Sequence, residues 1–243
     1  MSAAFPFAFW KSSASVFDPA TLSLTGWWRG SFSASPWVGT ASAGSSGTRD
    51  LTEGTNAPAS GSAVNGFNPA DFDGTNDELS NATTMGTLLS ASAWMAWVLF
   101  WADGIDTSNA DATAYNNDAL ICDAGQFWGI HLRNTPTVQI YQWDGAAKVN
   151  AHAISTGAWN LICARYDGTN LRSSLNGGAI TSLAAGNITT TTHALKVGEN
   201  AAGSPSYLDG KILDIGMMAS AGSDANITTD IKAYVNSRYN LAL

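Results

Sequence analysis

Eight residues between positions 131 and 152 carry side chains suited to holding a polar ring-shaped ligand: His131, Arg133, Gln139, Tyr141, Trp143, Lys148, Asn150 and His152. A pyranose presents an apolar CH face that stacks on an aromatic plate, and a rim of hydroxyls that needs fixed donors and acceptors. The eight can act together only if they share one face, and the spacing predicts that they do. The chain reads FWGIHLR, Asn134-Thr135-Pro136, TVQIYQW, Asp144-Gly145, AAKVNAHA. Asp-Gly between alternating runs signals a two-residue hairpin, because a type I′ turn needs two residues that tolerate positive φ. That turn would pair Trp143 with Ala146, Tyr141 with Lys148, Gln139 with Asn150 and Thr137 with His152, while Ile140 and Val138 meet Val149 and Ala151. The turn at 134–136 pairs Arg133 with Thr137 and sets His131 beside Gln139, with Leu132 and Ile130 joining Val138 and Ile140. Both turns put the eight outward and the aliphatics inward. An outer face is also polar where only water or another subunit touches it, so the pattern alone does not establish a ligand.

Other chemistries have fewer starting residues. The acidic stretch 102–119 offers Asp103, Asp106, Asp111 and Asp118, with Asn116 and Asn117, as oxygen ligands of the kind Ca²⁺ takes six to eight at a time, although their spacing fits no EF-hand. No other cofactor is expected. Glu53, Glu78 and Glu199 are the only glutamates, and Asp73-Gly-Thr-Asn-Asp77 reads as a turn whose side chains bond their own backbone. The sequence holds no Gly-x-Ser-x-Gly, phosphate loop, His-Glu-x-x-His or Cys-x-x-Cys, which leaves nucleophilic, nucleotide and zinc chemistry without a scaffold. His131 and His152 are expected at different heights beside the middle strand, separated rather than chelating.

The elements that must position these residues are strands. At 243 residues and 25.3 kDa, with 12% charged residues, ten Trp and abundant small polar residues, the composition is one of many turns and short aromatic strands. A net charge of −8 and scattered Lys and Arg provide no basic groove for a nucleic acid. Cys122 and Cys163 sit in apolar strand-like runs and are read as free thiols. The first apolar run has no preceding positive residue and Lys11 follows it, the wrong order for a secretory signal; the longest run, 93–102, is about half a membrane span. Neither an export signal nor membrane insertion is expected. Residues 1–20, with their Phe and Trp, read as an arm for subunit contact, and a homo-oligomer is expected. Residues 42–66 read as a long loop within one domain. AWMAWVLFW (93–101) is apolar on both faces, as in a central strand covered on each side. Residues 159–166 and 171–175 flank an Asp167-Gly-Thr-Asn170 turn, strands follow at 195–198 and 210–218, and residues 226–238 change to helical spacing. Ten or more strands without internal repeats point to a two-sheet sandwich.

Four patterns, in order, resemble the concanavalin A-like superfamily of laminin G-like jelly-roll domains. Asn65-Gly66 followed by DFDGTNDEL (71–79) resembles "NG … FDGxDDYL", and residues 93–100 resemble "tvsaWvk". WNLICARYDGTN (159–170) with Leu175-Asn-Gly177 resembles "W..v….dgt….lyvNG". Leu195-Lys-Val-Gly198, then LDGKILDIG (208–216), resembles "l.iG … f.G.I.ei.iy", and Arg238-Tyr-Asn-Leu241 is similar to the family's tail. The resemblance covers most of residues 27–243 and implies an all-β, two-sheet antiparallel sandwich with a short C-terminal helix, residues 21–243 forming one lectin-like domain. Members include sugar-binding modules, glycosidases, adhesion domains and virion spike or decoration proteins. Hydrolases of this fold carry Glu-x-Asp-x-Glu, which none of the three glutamates matches. The expected function is a noncatalytic virion-surface protein (spike, fibre or decoration) whose lectin-like domain binds cell-surface glycan weakly and gains from multivalency. A virion or extracellular surface is the expected location, with other virion proteins as partners. A free or secreted carbohydrate-binding module and a glycoside hydrolase of this fold are the alternatives.

Overall fold

The computed structural model describes residues 16–39, 49–54, 56–105, 117–189, 191–200 and 206–243. In chain order its strands are β1 (Gly26–Arg29), β2 (Thr52–Glu53), β3 (Ala59–Ser60), β4 (Ala70–Asp73), β5 (Leu79–Thr84), β6 (Trp94–Ala102), β7 (Asp118–Asp123) and β8 (Trp128–Arg133). They continue as β9 (Thr137–Trp143), β10 (Ala147–Ala153), β11 (Trp159–Tyr166), β12 (Asn170–Leu175), β13 (Thr181–Ala184), β14 (Ala194–Val197), β15 (Glu199–Asn200), β16 (Ser206–Tyr207) and β17 (Asp209–Met218). A four-residue turn of helix, α1 (Met85–Leu88), follows β5, and a π-turn at Asn226–Asp230 leads into α2 (Ile231–Tyr239).

Two antiparallel sheets form a sandwich. One is ordered β13-β12-β11-β6-β17-β4-β3, with β1 also paired to β17; the other is ordered β10-β9-β8-β7-β14-β5-β2. Alternation along β6 shows how the layers arise from sequence. Trp94, Ala96, Val98, Phe100 and Ala102 face the second sheet in the main core, whereas Met95, Trp97 and Leu99 point the other way, into a second core beneath α2. The run 93–101 is therefore covered on both faces over most of its length, as its composition implies. Ile227, Ile231, Tyr234 and Val235 fall on one side of the terminal helix and close that second core with Trp27, Leu161 and Cys163. Of the arm expected over residues 1–20, residues 1–15 lie outside the described residues, while Phe17, followed by Leu22 and Leu24, packs into this second core.

A carboxylate fastens the helix to the sheet. Asp214, fully buried at a bulge of β17, accepts hydrogen bonds from the indole N–H of Trp27 (3.1 Å) and Trp97 (2.9 Å) and from the hydroxyls of Tyr234 (2.9 Å) and Tyr239 (2.7 Å). Burial pushes its pKa up, and the four donors act in the opposite direction.

The hairpin of β11 and β12 forms as the sequence predicts: the Asp167 carboxylate accepts from the N–H of Thr169 and Asn170. Both cysteines are buried free thiols, Cys163 beneath α2 and Cys122 on β7 of the other sheet.

Candidate functional site

The predicted face divides in two. Strands β8 and β9 pair as expected, with Arg133 opposite Thr137, His131 opposite Gln139 and Ile130 opposite Ile140. The next hairpin departs by one residue. Trp143 pairs with Ala147 rather than Ala146, which moves Gln142 opposite Lys148, Ile140 opposite Asn150 and Val138 opposite His152. The cause is local: Asp144 makes an Asx-type turn, its carboxylate accepting from Ala146 N–H (3.2 Å) while its own N–H donates to the Ala146 carbonyl (3.3 Å), so the loop takes three residues. A slip of one residue exchanges the faces of a strand.

Lys148, Asn150 and His152 consequently turn toward the other sheet. Asn150 Nδ2 donates to the carbonyls of Leu171 (2.9 Å) and Thr181 (3.3 Å), His152 Nε2 lies 2.8 Å from Ser173 Oγ, and Lys148 reaches only Asp144 (3.8 Å). Asn150 and His152 tie an edge strand to the opposite layer, Lys148 pairs within its own hairpin, and none of the three extends the outer face. Burial lowers the His152 pKa, which is consistent with that position.

The remaining five share the outer face, yet its centre is covered. His131, Gln139 and Tyr141 are each 2% exposed. Asn117 donates to Gln139 Oε1 (2.8 Å), its carbonyl lies 3.3 Å from His131 Nδ1, and Asn200 Nδ2 donates to the same carbonyl (2.9 Å). Gln126 in turn donates to Asn200 (3.0 Å). Only Arg133 and Trp143, half-buried at opposite ends of their strands, remain partly open. The amides and imidazole expected to meet hydroxyls of a ligand meet one another instead.

Two of the four candidate calcium ligands, Asp106 and Asp111, lie outside the described residues. Asp118 is buried and hydrogen-bonded to Ser206, and Asp103 is held by Trp101 Nε1 (2.8 Å) and Lys211. Among the described residues, no group of three or more His, Cys, Asp or Glu is arranged to hold a metal ion. The three histidines do not converge: His131 and His152 lie on opposite faces, and His193 stacks on Phe127 at 5.7 Å.

Glu78 and Glu199, distant in sequence, meet in the fold. Lys196 Nζ lies 2.5 Å from Glu78 and 2.8 Å from Glu199. Burial raises the Glu199 pKa, its hydrogen bond to Glu78 adds to the rise, and Lys196 opposes it. Burial works against the Lys196 ammonium, and the two carboxylates outweigh it, so its pKa is raised. Glycoside hydrolysis needs its carboxyls about 5–9.5 Å apart with the scissile bond between them. Here the pair is in hydrogen-bond contact and an ammonium binds both partners, which leaves no such space.

A partly exposed constellation lies on the other sheet, at the margin of the second core, against which Trp159 packs. Register places Trp159 opposite Trp101, Trp101 opposite Lys211, and Lys211 opposite Asp71, on strands β11, β6, β17 and β4. These four side chains form a row across the outer face of the sheet, and all are partly exposed. The two indoles meet edge to face at 5.9 Å. Lys211 lies 6.0 Å from the Trp101 ring centre and is held between Asp103 and Asp71 (3.5 Å). Burial works against its charge, but the carboxylates prevail and its pKa is raised. Asp209 and Asp73, also cross-strand neighbours, stand in the next row. Beyond Asp71 opens a cleft of about 470 Å³ lined by Ala57, Ala59, Asp71, Phe72, Asp73 and Asp77. Burial, opposed by a backbone hydrogen bond from Asp73 and aided by the charges of Asp73 and Asp71, raises the Asp77 pKa. The row offers aromatic edges and faces, carboxylate acceptors and an ammonium donor fixed by strand pairing, which is the chemistry first sought on the other sheet.

Sequence reading missed this row because residues 93–101 were taken as core throughout. A usable signal existed: Trp101 and Trp159 occupy the same alternation face as Met95, Trp97 and Leu161. Counted back from the Asp167–Asn170 turn they fall at one strand end, where both are partly exposed.

The family described as the concanavalin A-like lectin/glucanases superfamily has a profile that matches residues 105–228. Among solved structures, the chain is similar to botulinum neurotoxin type C (TM-score 0.63, 9% identity, covering 91% of this chain and 53% of that one), whose uptake into cells depends on interaction with two ganglioside molecules. It is also similar to domain 4 of AbnA, an extracellular arabinanase from Geobacillus stearothermophilus, in complex with arabinotriose (TM-score 0.55, 14% identity, covering 84% and 96%). A Trypanosoma rangeli sialidase aligns with TM-score 0.57 and 10% identity over 85% of this chain but 32% of its own, so the chain spans about a third of that enzyme. At these identities the likeness is one of fold. No curated protein sequence matches.

Proposed function

The chain belongs to the concanavalin A-like lectin/glucanases superfamily, and from that premise we propose that it is a noncatalytic glycan-binding domain whose saccharide lies along Trp159, Trp101, Lys211 and Asp71. The observation that carries this reading is the row itself: two half-exposed indoles in register with a fixed ammonium and carboxylates. The ganglioside interaction of the neurotoxin and the arabinotriose complex of AbnA domain 4 lend support for the ligand class. Lys211 is neutralised by Asp71 and Asp103, with Asp73 and Asp209 close by, so the row suits a neutral sugar whose hydroxyls donate to carboxylates.

One sugar ring stacked on an indole removes about 60 Å² of apolar surface from water, worth about 1.5 kcal/mol. With a few hydrogen bonds the affinity of a single site reaches roughly the millimolar range, about 4 kcal/mol. Useful adhesion then requires several copies presented together. This is the ground for the fuller proposal: the domain is displayed in a homo-oligomer on a particle surface, as a virion spike, fibre or decoration protein, with the Phe-rich residues 1–15 making subunit contacts. No helix among the described residues is long and apolar enough to cross a membrane.

The test is a glycan array of neutral and acidic saccharides probed with the purified chain and with Trp159→Ala, alongside mass determination in solution with and without residues 1–15. Binding of neutral glycans by an oligomer, lost in Trp159→Ala, supports the proposal. An array without signal removes the glycan role, and a monomer in both forms removes the display role.

A further inference from the structure

Five of the ten described cations have a carboxylate partner: Lys148 meets Asp144, Arg165 and Arg172 meet Asp224 and Asp167, Lys196 lies between two glutamates, and Lys211 lies between two aspartates, while Arg49 and Lys232 bond backbone carbonyls. Arg29 differs. It ends β1, is exposed, and makes no ion pair or hydrogen bond among the described residues; its guanidinium stacks 3.9 Å above the Trp27 ring. Its cross-strand neighbour Asp214 already accepts from four donors beneath α2 and does not reach it. A second guanidinium, Arg238, stacks 4.2 Å over Phe67 and likewise has no carboxylate partner among the described residues, in a chain of net charge −8.

Arg29 lines a cleft of about 260 Å³ whose other walls include Ser31, Ser33, Phe32, Trp37 and Val38. The backbone is shaped to open it: Gly30 and Ser31 both have positive φ (34° and 61°), and a left-handed serine is a conformation that recurs at ligand clamps. The hydroxyls of Ser31 and Ser33 are exposed and unbonded among the described residues, while Phe32 and Trp37 pack edge to face (5.8 Å) beneath them and are themselves buried. Val38, 62% exposed, is the most open large apolar side chain among the described residues. Pockets for drug-sized ligands run about 300–1,000 Å³, so this space admits a single ring.

We propose that this cleft is a second ligand site, separate from the tryptophan row, and that it takes one carboxylate-bearing sugar ring of the uronic acid type. The guanidinium fork receives the carboxylate through two parallel N–H···O bonds, the serine hydroxyls meet ring hydroxyls, and the CH face rests on Val38. The two sites differ in sign: the row is rich in carboxylate, and the cleft holds an unpaired cation.

The experiment follows the indole N–H resonances of Trp27 and Trp37 in the ¹⁵N-labelled chain, titrated at constant ionic strength with sodium glucuronate, glucose or sodium sulfate to about 50 mM. Glucuronate is expected to shift both indoles with saturation, and glucose and sulfate to do so at least about tenfold more weakly. Arg29→Gln, an exposed position whose fold is checked by an unchanged melting temperature, is expected to weaken the glucuronate response by at least about tenfold, with Arg29→Lys in between. Equal responses to glucose and glucuronate would remove the role of charge. Equal responses to sulfate would reduce the site to an anion hole that does not read a sugar, and no response to glucuronate, or one unchanged in Arg29→Gln, would remove the site. None of these outcomes touches the tryptophan row, which Trp159→Ala tests separately.

Discussion

Replacing Asp214 by Asn tests how the terminal helix is held to the sheet. The carboxylate accepts from four donors, and two of them, the indole N–H groups of Trp27 and Trp97, can only donate. Asparagine retains one oxygen, able to accept about two of the four bonds, and turns an NH₂ group toward the rest. Two buried donors left without an acceptor cost about 1–3 kcal/mol each. Relief of the cost of burying a charge, the influence that pushes the Asp214 pKa up, returns part of this, so the net loss is placed at about 3 kcal/mol. For a chain of this size about 1 kcal/mol lowers the melting temperature by roughly 2–4 °C, which gives a drop of about 6–12 °C. Thermal unfolding followed by circular dichroism reads the shift. Hydrogen exchange is expected to show residues 231–239 opening earlier, with red-shifted Trp emission as Trp27 and Trp97 meet water. A melting temperature within about 2 °C of the parent would refute the clasp.

Three further outcomes follow from the structure. Burial depresses the His152 pKa, so the unfolded chain binds the proton more readily: stability is full above the unfolded value near 6.5 and is lost as pH falls below it, and His152→Gln should flatten a plot of stability against pH from 7 to 5. Burial pushes the Cys163 thiol up and Cys122 is equally enclosed, so a thiol reagent at pH 8 should label neither in the native chain and both in denaturant; rapid native labelling would contradict their placement. Glu78→Gln and Glu199→Gln should change melting temperature without affecting any release of reducing sugar, and a hydrolysis rate abolished by either would overturn the noncatalytic reading.

The sequence disclosed local geometry better than coverage. The pairing of β8 with β9 was legible because a tight turn at 134–136 and two alternating runs fix it within a few residues. The same logic failed at Asp144-Gly145 by a single residue: the Asp144 side chain bonds Ala146 and also accepts from Gly186 N–H (2.5 Å), a tertiary contact that no hairpin rule contains. That slip turned Lys148, Asn150 and His152 away from the face assigned to them. Coverage of His131, Gln139 and Tyr141 was illegible for a different reason. It depends on Asn117 and Asn200, which are brought together from opposite halves of the domain by strand order rather than by spacing. The packing of Trp159 against the second core likewise depends on a helix from the far end of the chain.

The most direct test is a comparison of two tryptophans on opposite sheets. Trp101 and Trp143 are both half-buried, one in the proposed row and one on the face that sequence patterning favoured. Calorimetric titration of the parent, Trp101→Ala and Trp143→Ala with a neutral oligosaccharide selected from the array reads the difference. The expected result is loss of about 1.5 kcal/mol or more of binding, at least about tenfold in affinity, for Trp101→Ala and no change for Trp143→Ala. Binding that survives in Trp101→Ala and disappears in Trp143→Ala would place the ligand on the seven-stranded sheet and contradict the proposed site.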